Sequence, residues 1–242
     1  MIYSLISRFN ISPMTEIASI VQALSILFAC WAVIAGIDAW KREFIGKRRI
    51  EIAEQILAKF YEVKDAIAFI RSPWSGSEEG KSRKRGPAEG EAESKLLDRG
   101  YIVFERYEKR MNTFVELNTL KYRFMAAFGA ESESVFVRIN QVLNSIFISA
   151  QMLATHYWQR QGRVPMEPDE FQRHLDEMHK HEGVFWDRYN ENDEVRKELS
   201  AIQSELEKIT APCFEEKMRT YTLFTKPLFS RAKKSKDTPL KK

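Results

Sequence analysis

The chain has 242 residues, of which 30% are charged, 44% hydrophobic and 12% aromatic. The net charge of +4 lies mainly in two basic segments, at 41–49 and 225–242, so the middle of the chain is mildly acidic. This distribution argues against a broad nucleic-acid surface, and we expect no specific nucleic-acid partner. The two cysteines, Cys30 and Cys213, lie in segments too different to pair, which fits a reducing compartment.

Scarce glycine and proline, together with abundant Leu, Ala, Glu, Lys and Arg, predict an all-α fold. The predicted architecture is one N-terminal transmembrane helix that continues into a cytoplasmic antiparallel bundle of long helices. The predicted segments, in chain order, are a short extracytoplasmic segment (1–16), the transmembrane helix (17–40), three long bundle helices with a flexible loop at 72–93 (41–160), a C-terminal helical segment (161–224) and a basic disordered tail (225–242).

The predicted transmembrane helix rests on the stretch from 17 to 37, which carries no formal charge. About 20 apolar residues are what an α-helix needs to cross a hydrocarbon core. An aromatic and five basic residues follow and mark the cytoplasmic interface: Trp40, Lys41, Arg42, Lys47, Arg48 and Arg49. Because basic residues stay on the cytoplasmic side, we expect the N-terminus to lie outside. A transmembrane helix also makes the lipid bilayer an expected partner. A cleaved signal peptide and a buried soluble helix are the alternatives.

One face of this helix carries small and polar residues at spacings of three and four. Small residues let helix backbones approach closely in lipid, and a glutamine can hydrogen-bond across such a contact. This face predicts helix association with a second copy or with another membrane protein, through Gln22, Ser25, Ala29, Ala32 and Gly36.

Apolar repeats at helical spacing predict the bundle helices. The first continues from the span to about Arg71, with Ile45, Ile52, Ile56, Phe60, Val63, Ile67 and Ile70 as its stripe. The second begins at Ser94 and ends before Gly129, with Leu97, Tyr101, Phe104, Met111, Val115, Tyr122 and Met125. The third runs from about Ser132 to Arg160 and has the widest apolar face, with Val135, Ile139, Val142, Ile146, Leu153 and Tyr157 as its stripe.

Three shorter segments follow. A fourth helix is predicted from Pro168 to about Tyr189, and Asp193 is placed to cap the next helix. That helix carries a heptad-like apolar repeat and is expected to stop at Pro212, before a last short segment.

The fourth helix holds the strongest candidate for chemistry. His174, Glu177 and His181 lie on one face with Glu170, and such side chains can bind zinc or iron. No second Glu-x-x-His helix accompanies them, as a di-iron bundle requires, and a solvated polar face explains the same pattern. No phosphate-binding glycine loop and no framed nucleophile is present in the sequence, so we assign no catalytic residue and no cofactor.

Three segments and one residue pair carry a family resemblance: KREFIGKRRIEIAEQILAKFYEVKDAIAFIRSPWS, LLDRGYIVFERYEKRMNTFVELNTLKYRFMAAFG, EMHKHEGVFWDRYNEND and the pair Pro212-Cys213. They resemble a family of bacterial single-pass, membrane-anchored helical proteins without an established activity. The resemblance covers most of the chain and implies the bacterial inner membrane. It implies no substrate and no site residue.

The sequence therefore favours a membrane-tethered helical interaction or scaffold protein that self-associates or binds another protein. The alternatives are a membrane-linked sensor or regulator, and a metal-dependent enzyme that uses the His/Glu face of helix 168–189.

Overall fold

The computed structural model describes the main chain of residues 12–223 and the side chains of residues 16–214, and all regular structure in that range is helical. The five helices are α1 (Ser12–Ile70), α2 (Glu91–Phe128), α3 (Glu133–Met152), α4 (Pro168–Phe185) and α5 (Glu194–Leu223). A 3₁₀ turn, Ala130–Ser132, precedes α3, and a π-helical turn, Leu153–Tyr157, extends α3 to a last α-turn at Trp158–Arg160. Residues 1–11 of the predicted N-terminal segment and the predicted tail at 225–242 lie outside the described residues.

The chain divides into two compact units between Arg49 and Ile50. The second unit contains an apolar core contributed by all five helices. The stripes predicted for α1, α3 and α5 form most of this core, although Ile45 is exposed. The buried residues of α1 are Ile52, Ala53, Ile56, Phe60, Val63, Ala66, Ile67 and Ile70.

Helix α2 buries a face that matches the predicted one only in part. Met111, Val115 and Tyr122 of the predicted stripe are exposed, whereas Leu97, Tyr101, Phe104 and Met125 are half-buried. The buried apolar residues are Ile102, Val103, Phe114, Leu117 and Phe124, and the same face contains Arg106, which is 2% exposed. Because a charged residue interrupts the apolar repeat on the buried face, the more regular but partly exposed stripe dominated the sequence pattern.

Two helix ends differ from their predicted positions. Helix α4 stops at Phe185 because Trp186 is extended and the main-chain N–H of Asp187 donates to the carbonyl of Arg71, at 2.8 Å. Helix α5 continues through Pro212 to Leu223. A proline removes one main-chain donor, which bends a helix without always ending it.

The segment between α1 and α2 is tied to α2 by arginines, and α2 already begins at Glu91, inside the predicted loop 72–93. Arg106 donates to the carbonyls of Ser72 and Trp74 and to the carboxylate of Glu79, each at 2.6 Å. Arg83 binds Asp98 at 3.0 Å and pairs with Glu89, whose pKa it lowers to about 2. The polar and charged residues of the predicted flexible loop therefore include the ones that bind this segment to α2.

Arg71, directly after α1, binds the end of α4. Its guanidinium donates to the carbonyls of Val184, at 2.7 Å, and of Gly183 and Trp186, both at 2.9 Å. It also makes a two-pronged contact with Asp193, at 2.8 and 3.0 Å. The last carbonyls of a helix have no N–H partner within the helix. At the end of α4 the buried, positively charged guanidinium of Arg71 donates hydrogen bonds to these carbonyls.

Asp193 caps α5, as the sequence predicted. Its carboxylate accepts the main-chain N–H of Arg196, the third residue of α5, at 3.0 Å, and that of Arg188 at 3.1 Å. Burial alone would raise the pKa of Asp193, but the hydrogen bonds from Arg71, Arg196 and Arg188 outweigh it and the pKa is lowered. The carboxylate is therefore held in its charged form.

We predict that Arg71→Leu lowers the free energy of unfolding by about 3–5 kcal/mol, because it leaves Asp193 as an unpaired buried charge. The measurement is denaturant unfolding of the full chain in detergent micelles. Lys180→Ala is the control, since Lys180 pairs with Glu177 on the surface and exposed pairs contribute at most about 1 kcal/mol. Equal effects of the two substitutions would contradict the role assigned to Arg71.

Candidate functional site

The first part of α1 is exposed on every side. Its large apolar residues between 17 and 45 are each 47–67% exposed, and the most apolar window has none of its residues buried. Within the described residues, α1 is the one helix long and apolar enough to cross a membrane. A helix that is apolar all round is a core helix or a membrane span, and no described part of the chain buries this one.

The predicted interface residues lie directly after this stretch, within α1. Trp40 is 65% exposed and contacts Phe44, with 5.9 Å between ring centroids. Lys47 pairs with Glu43 at 2.7 Å, and Lys41, Arg42, Arg48 and Arg49 are also exposed. An exposed indole followed by exposed basic side chains is the arrangement that interfaces favour.

The predicted association face, Gln22, Ser25, Ala29, Ala32 and Gly36, is exposed along its length. Ser25 donates to the carbonyl of Val21 within its own helix, at 2.8 Å. A Cβ added at Gly36 would meet no atom within 4 Å. Association of this face with another helix stays a prediction.

Three histidines surround one tyrosine at the π-helical turn that follows α3. The ring centroid of Tyr157 lies 5.0 Å from that of His156 and 5.3 Å from those of His174 and His181. Single π-turns within α-helices are rare and occur frequently at functional sites. We call Tyr157 and these three histidines the histidine cluster.

His174 is the buried member of the histidine cluster. It is 6% exposed, hydrogen-bonds to the main chain of Tyr157, and its Nε2 atom has no partner among the described residues. Burial lowers its pKa, and the positive charge of Arg160 and the proximity of His156 lower it further. The imidazole is therefore held neutral.

Polar groups border the cluster on two sides. Arg160 lies 3.5 Å from Nε2 of His156 and donates to Glu170 at 3.1 Å. On the other side, Nδ1 of His181 lies 3.1 Å from Oγ of Ser149, and burial lowers the pKa of His181.

The three candidate metal ligands do not converge. His174 and His181 pack against Tyr157, while Glu177 turns to Lys180, at 2.5 Å. Among the described residues, no group of three or more His, Cys, Asp or Glu side chains is arranged to hold a metal ion. The helical spacing placed these residues on one face, but Tyr157 of a different segment lies between the two rings.

The second surface of interest is the exposed stripe of α2. Met111, Val115 and Tyr122 are 45%, 53% and 71% exposed and follow each other at spacings of four and seven. The sequence assigned these residues to the core, so it did not identify them as a surface. No described part of the chain covers them.

Sequence reasoning also missed His156, Ser149 and Arg160 as neighbours of the candidate histidines, and it placed Tyr157 in a core stripe. The available signal was modest: His156 and Arg160 are four residues apart at the end of a helix, just before the segment that carries Glu170. The π-turn that brings these residues together has no sequence signature of its own.

Comparisons with protein-family models, with curated proteins and with solved structures give no match for this chain.

Acidification is expected to destabilise the protein through the histidine cluster. His174 and His181 have lowered pKa values in the folded state, so unfolding takes up protons once the pH falls to about 6.5, the ordinary histidine value. Their stabilisation is complete above that pH and is lost as the pH falls toward the folded-state pKa values.

We therefore predict a lower free energy of unfolding at pH 5.5 than at pH 7.5, and a smaller difference in His181→Asn, whose amide keeps a partner for Ser149 without titrating in this range. Thermal unfolding of the full chain in micelles at both pH values measures this difference. His179→Asn, at an exposed position of the same helix, is the control. Identical pH dependence in the two variants would contradict a role for His181.

Proposed function

We propose that the chain is a membrane-tethered helical interaction protein. The observation that carries this proposal is the fully exposed apolar part of α1, which adjoins a separate helical unit with its own core. A helix forms its main-chain hydrogen bonds internally. An apolar helix that the protein leaves uncovered can therefore lie in lipid without unpaired main-chain groups.

The orientation we propose has the N-terminus outside and the helical unit in the cytoplasm. It is supported by the basic residues after the apolar stretch, against Arg8 alone before it. The bacterial inner membrane as the location is supported by the family resemblance of the sequence.

The proposal describes the helical unit as an antiparallel bundle. The connection between α2 and α3 is short, and Lys121 pairs with Glu133 across it, at 2.7 Å. At the other ends, a Cβ added to Gly100 would lie 2.5 Å from the side chain of Ala154, in the π-turn after α3. Contacts at both ends of two consecutive helices support antiparallel packing.

Interaction is the favoured activity because the candidate metal ligands do not converge and α2 exposes an apolar stripe. The partner is a second copy of the chain or another protein at the same membrane. Exposed apolar side chains at helical spacing, such as Met111, Val115 and Tyr122, are suited to contact another helix.

A sensor or regulator is the second candidate function. One uninterrupted helix, α1, contains both the apolar stretch and the core residues Ile52–Ile70. Helix α1, through its main chain and its helical hydrogen bonds, would transmit a structural change at the membrane to the core of the helical unit.

Membrane insertion and orientation are tested by alkaline carbonate extraction and cysteine labelling in intact cells. In a chain with Cys30→Ala and Cys213→Ala, Ser75→Cys reports the helical unit, because Ser75 is exposed. Ser4→Cys reports the N-terminus. An impermeant thiol reagent should label Ser4→Cys in intact cells, and Ser75→Cys only after permeabilisation.

Release of the chain by carbonate, or the reverse labelling pattern, would contradict the proposal. A shortened chain that has lost the N-terminal reporter would indicate a cleaved signal peptide instead.

A further inference from the structure

The structure points to an acid-sensitive contact between α4 and the end of α3. We propose that His174 is a pH-sensitive switch: as a neutral imidazole it holds α4 against the π-turn, and its protonation releases the first half of α4. The inference concerns the helical unit alone and does not depend on membrane insertion.

The burial of Nε2 suits a neutral His174 ring. A neutral imidazole has one N–H and one bare nitrogen, and the buried Nε2 has no partner among the described residues. Burial lowers the pKa of His174 and outweighs the hydrogen bond to the main chain of Tyr157, which raises that pKa. Protonation would convert Nε2 into a donor that has no acceptor among the described residues. It would also place a charge on a side chain that is only 6% exposed.

The charges around His174 oppose a proton there. The end of α3 contributes Arg160 and His156, and α4 itself contributes Glu170, which is already bonded to Arg160. Beyond the Tyr157 ring lie His181 and, on the surface of α4, the paired Lys180 and Glu177.

The other helix against α4 acts at its opposite end. Where α5 begins, Asp193 is paired with Arg71, and Arg196 is paired with Asp187 at 2.7 Å. Each of these acidic groups in α4 and α5 is therefore already paired with a base, so a protonated His174 would find no free carboxylate among them.

The two halves of α4 are held by different contacts, and these contacts confine the opening to the first half. The end of α4 is bound by Arg71, and Asp193 stays ionised at mildly acidic pH because its pKa is lowered. In the first half, Phe171 is 42% exposed and Leu175 is half-buried. The first apolar residue of α4 buried in the core is Met178, so few apolar contacts oppose a local opening of the turns before it.

Hydrogen exchange of the full chain in micelles tests the switch at pH 7.5 and 5.5, with exchange times scaled for the pH dependence of free amides. We expect peptides from 168–178 to lose protection several-fold at pH 5.5. Uptake of one proton by a histidine with an ordinary pKa of about 6.5 can shift the opening equilibrium by at most about tenfold between pH 6.5 and 5.5. Peptides from 194–206 should not change. His174→Gln should abolish the pH effect, and His179→Gln should retain it.

No loss of protection in the unaltered chain, or an equal loss in His174→Gln, would overturn the proposal. If His174→Gln fails to fold, the unaltered chain still decides. It contains four histidines, so ring-labelled histidine gives four NMR signals. The His174 signal must titrate below about 6.5 and in step with the exchange of 168–178, and titration at or above 6.5 would refute the switch.

Discussion

A buried ion pair between Arg71 and Asp193 joins three helix ends in the helical unit. The two side chains are 1% and 0% exposed, and they come from the residue after α1 and the cap of α5. The same guanidinium bonds the last carbonyls of α4. Removing such a cation leaves a carboxylate and several carbonyls buried without partners, which is more costly than losing an apolar contact of similar size. The positions of α4 and of its two cluster histidines, His174 and His181, therefore depend on Arg71.

A second buried arginine has the same relation to α1. Arg106 of α2 bonds the carbonyls of Ser72 and Trp74, just beyond the end of α1, and its ion pair with Glu79 lowers the pKa of that carboxyl. The helical unit thus uses planar, multiply donating cations where helices stop, a role that a lysine with its single ammonium does not fill. Apolar residues form the core, while these arginines fix where the helices end.

Uninterrupted apolar repeats allowed the buried faces of α1, α3 and α5 to be predicted from the sequence. The face of α2 was not predictable in the same way, because Arg106 lies within it. The pair of Arg71 and Asp193 joins residues 122 positions apart, and no local pattern links them. In the candidate site, helical spacing singled out His174 as a candidate metal ligand, but its neighbour Tyr157 comes from a π-turn that ordinary helical periodicity does not reveal. Local sequence patterns predicted the helices, whereas polar contacts between distant residues determine how the helices pack together.

The chain divides near residue 50 into an exposed apolar helix and a helical unit with its own core. The most direct measurement is to express residues 50–242 alone and follow their unfolding in buffer without detergent. The account predicts a soluble, helical protein that unfolds in one cooperative transition. A product that aggregates, or that becomes helical only when residues 1–49 or lipid are supplied, would contradict it.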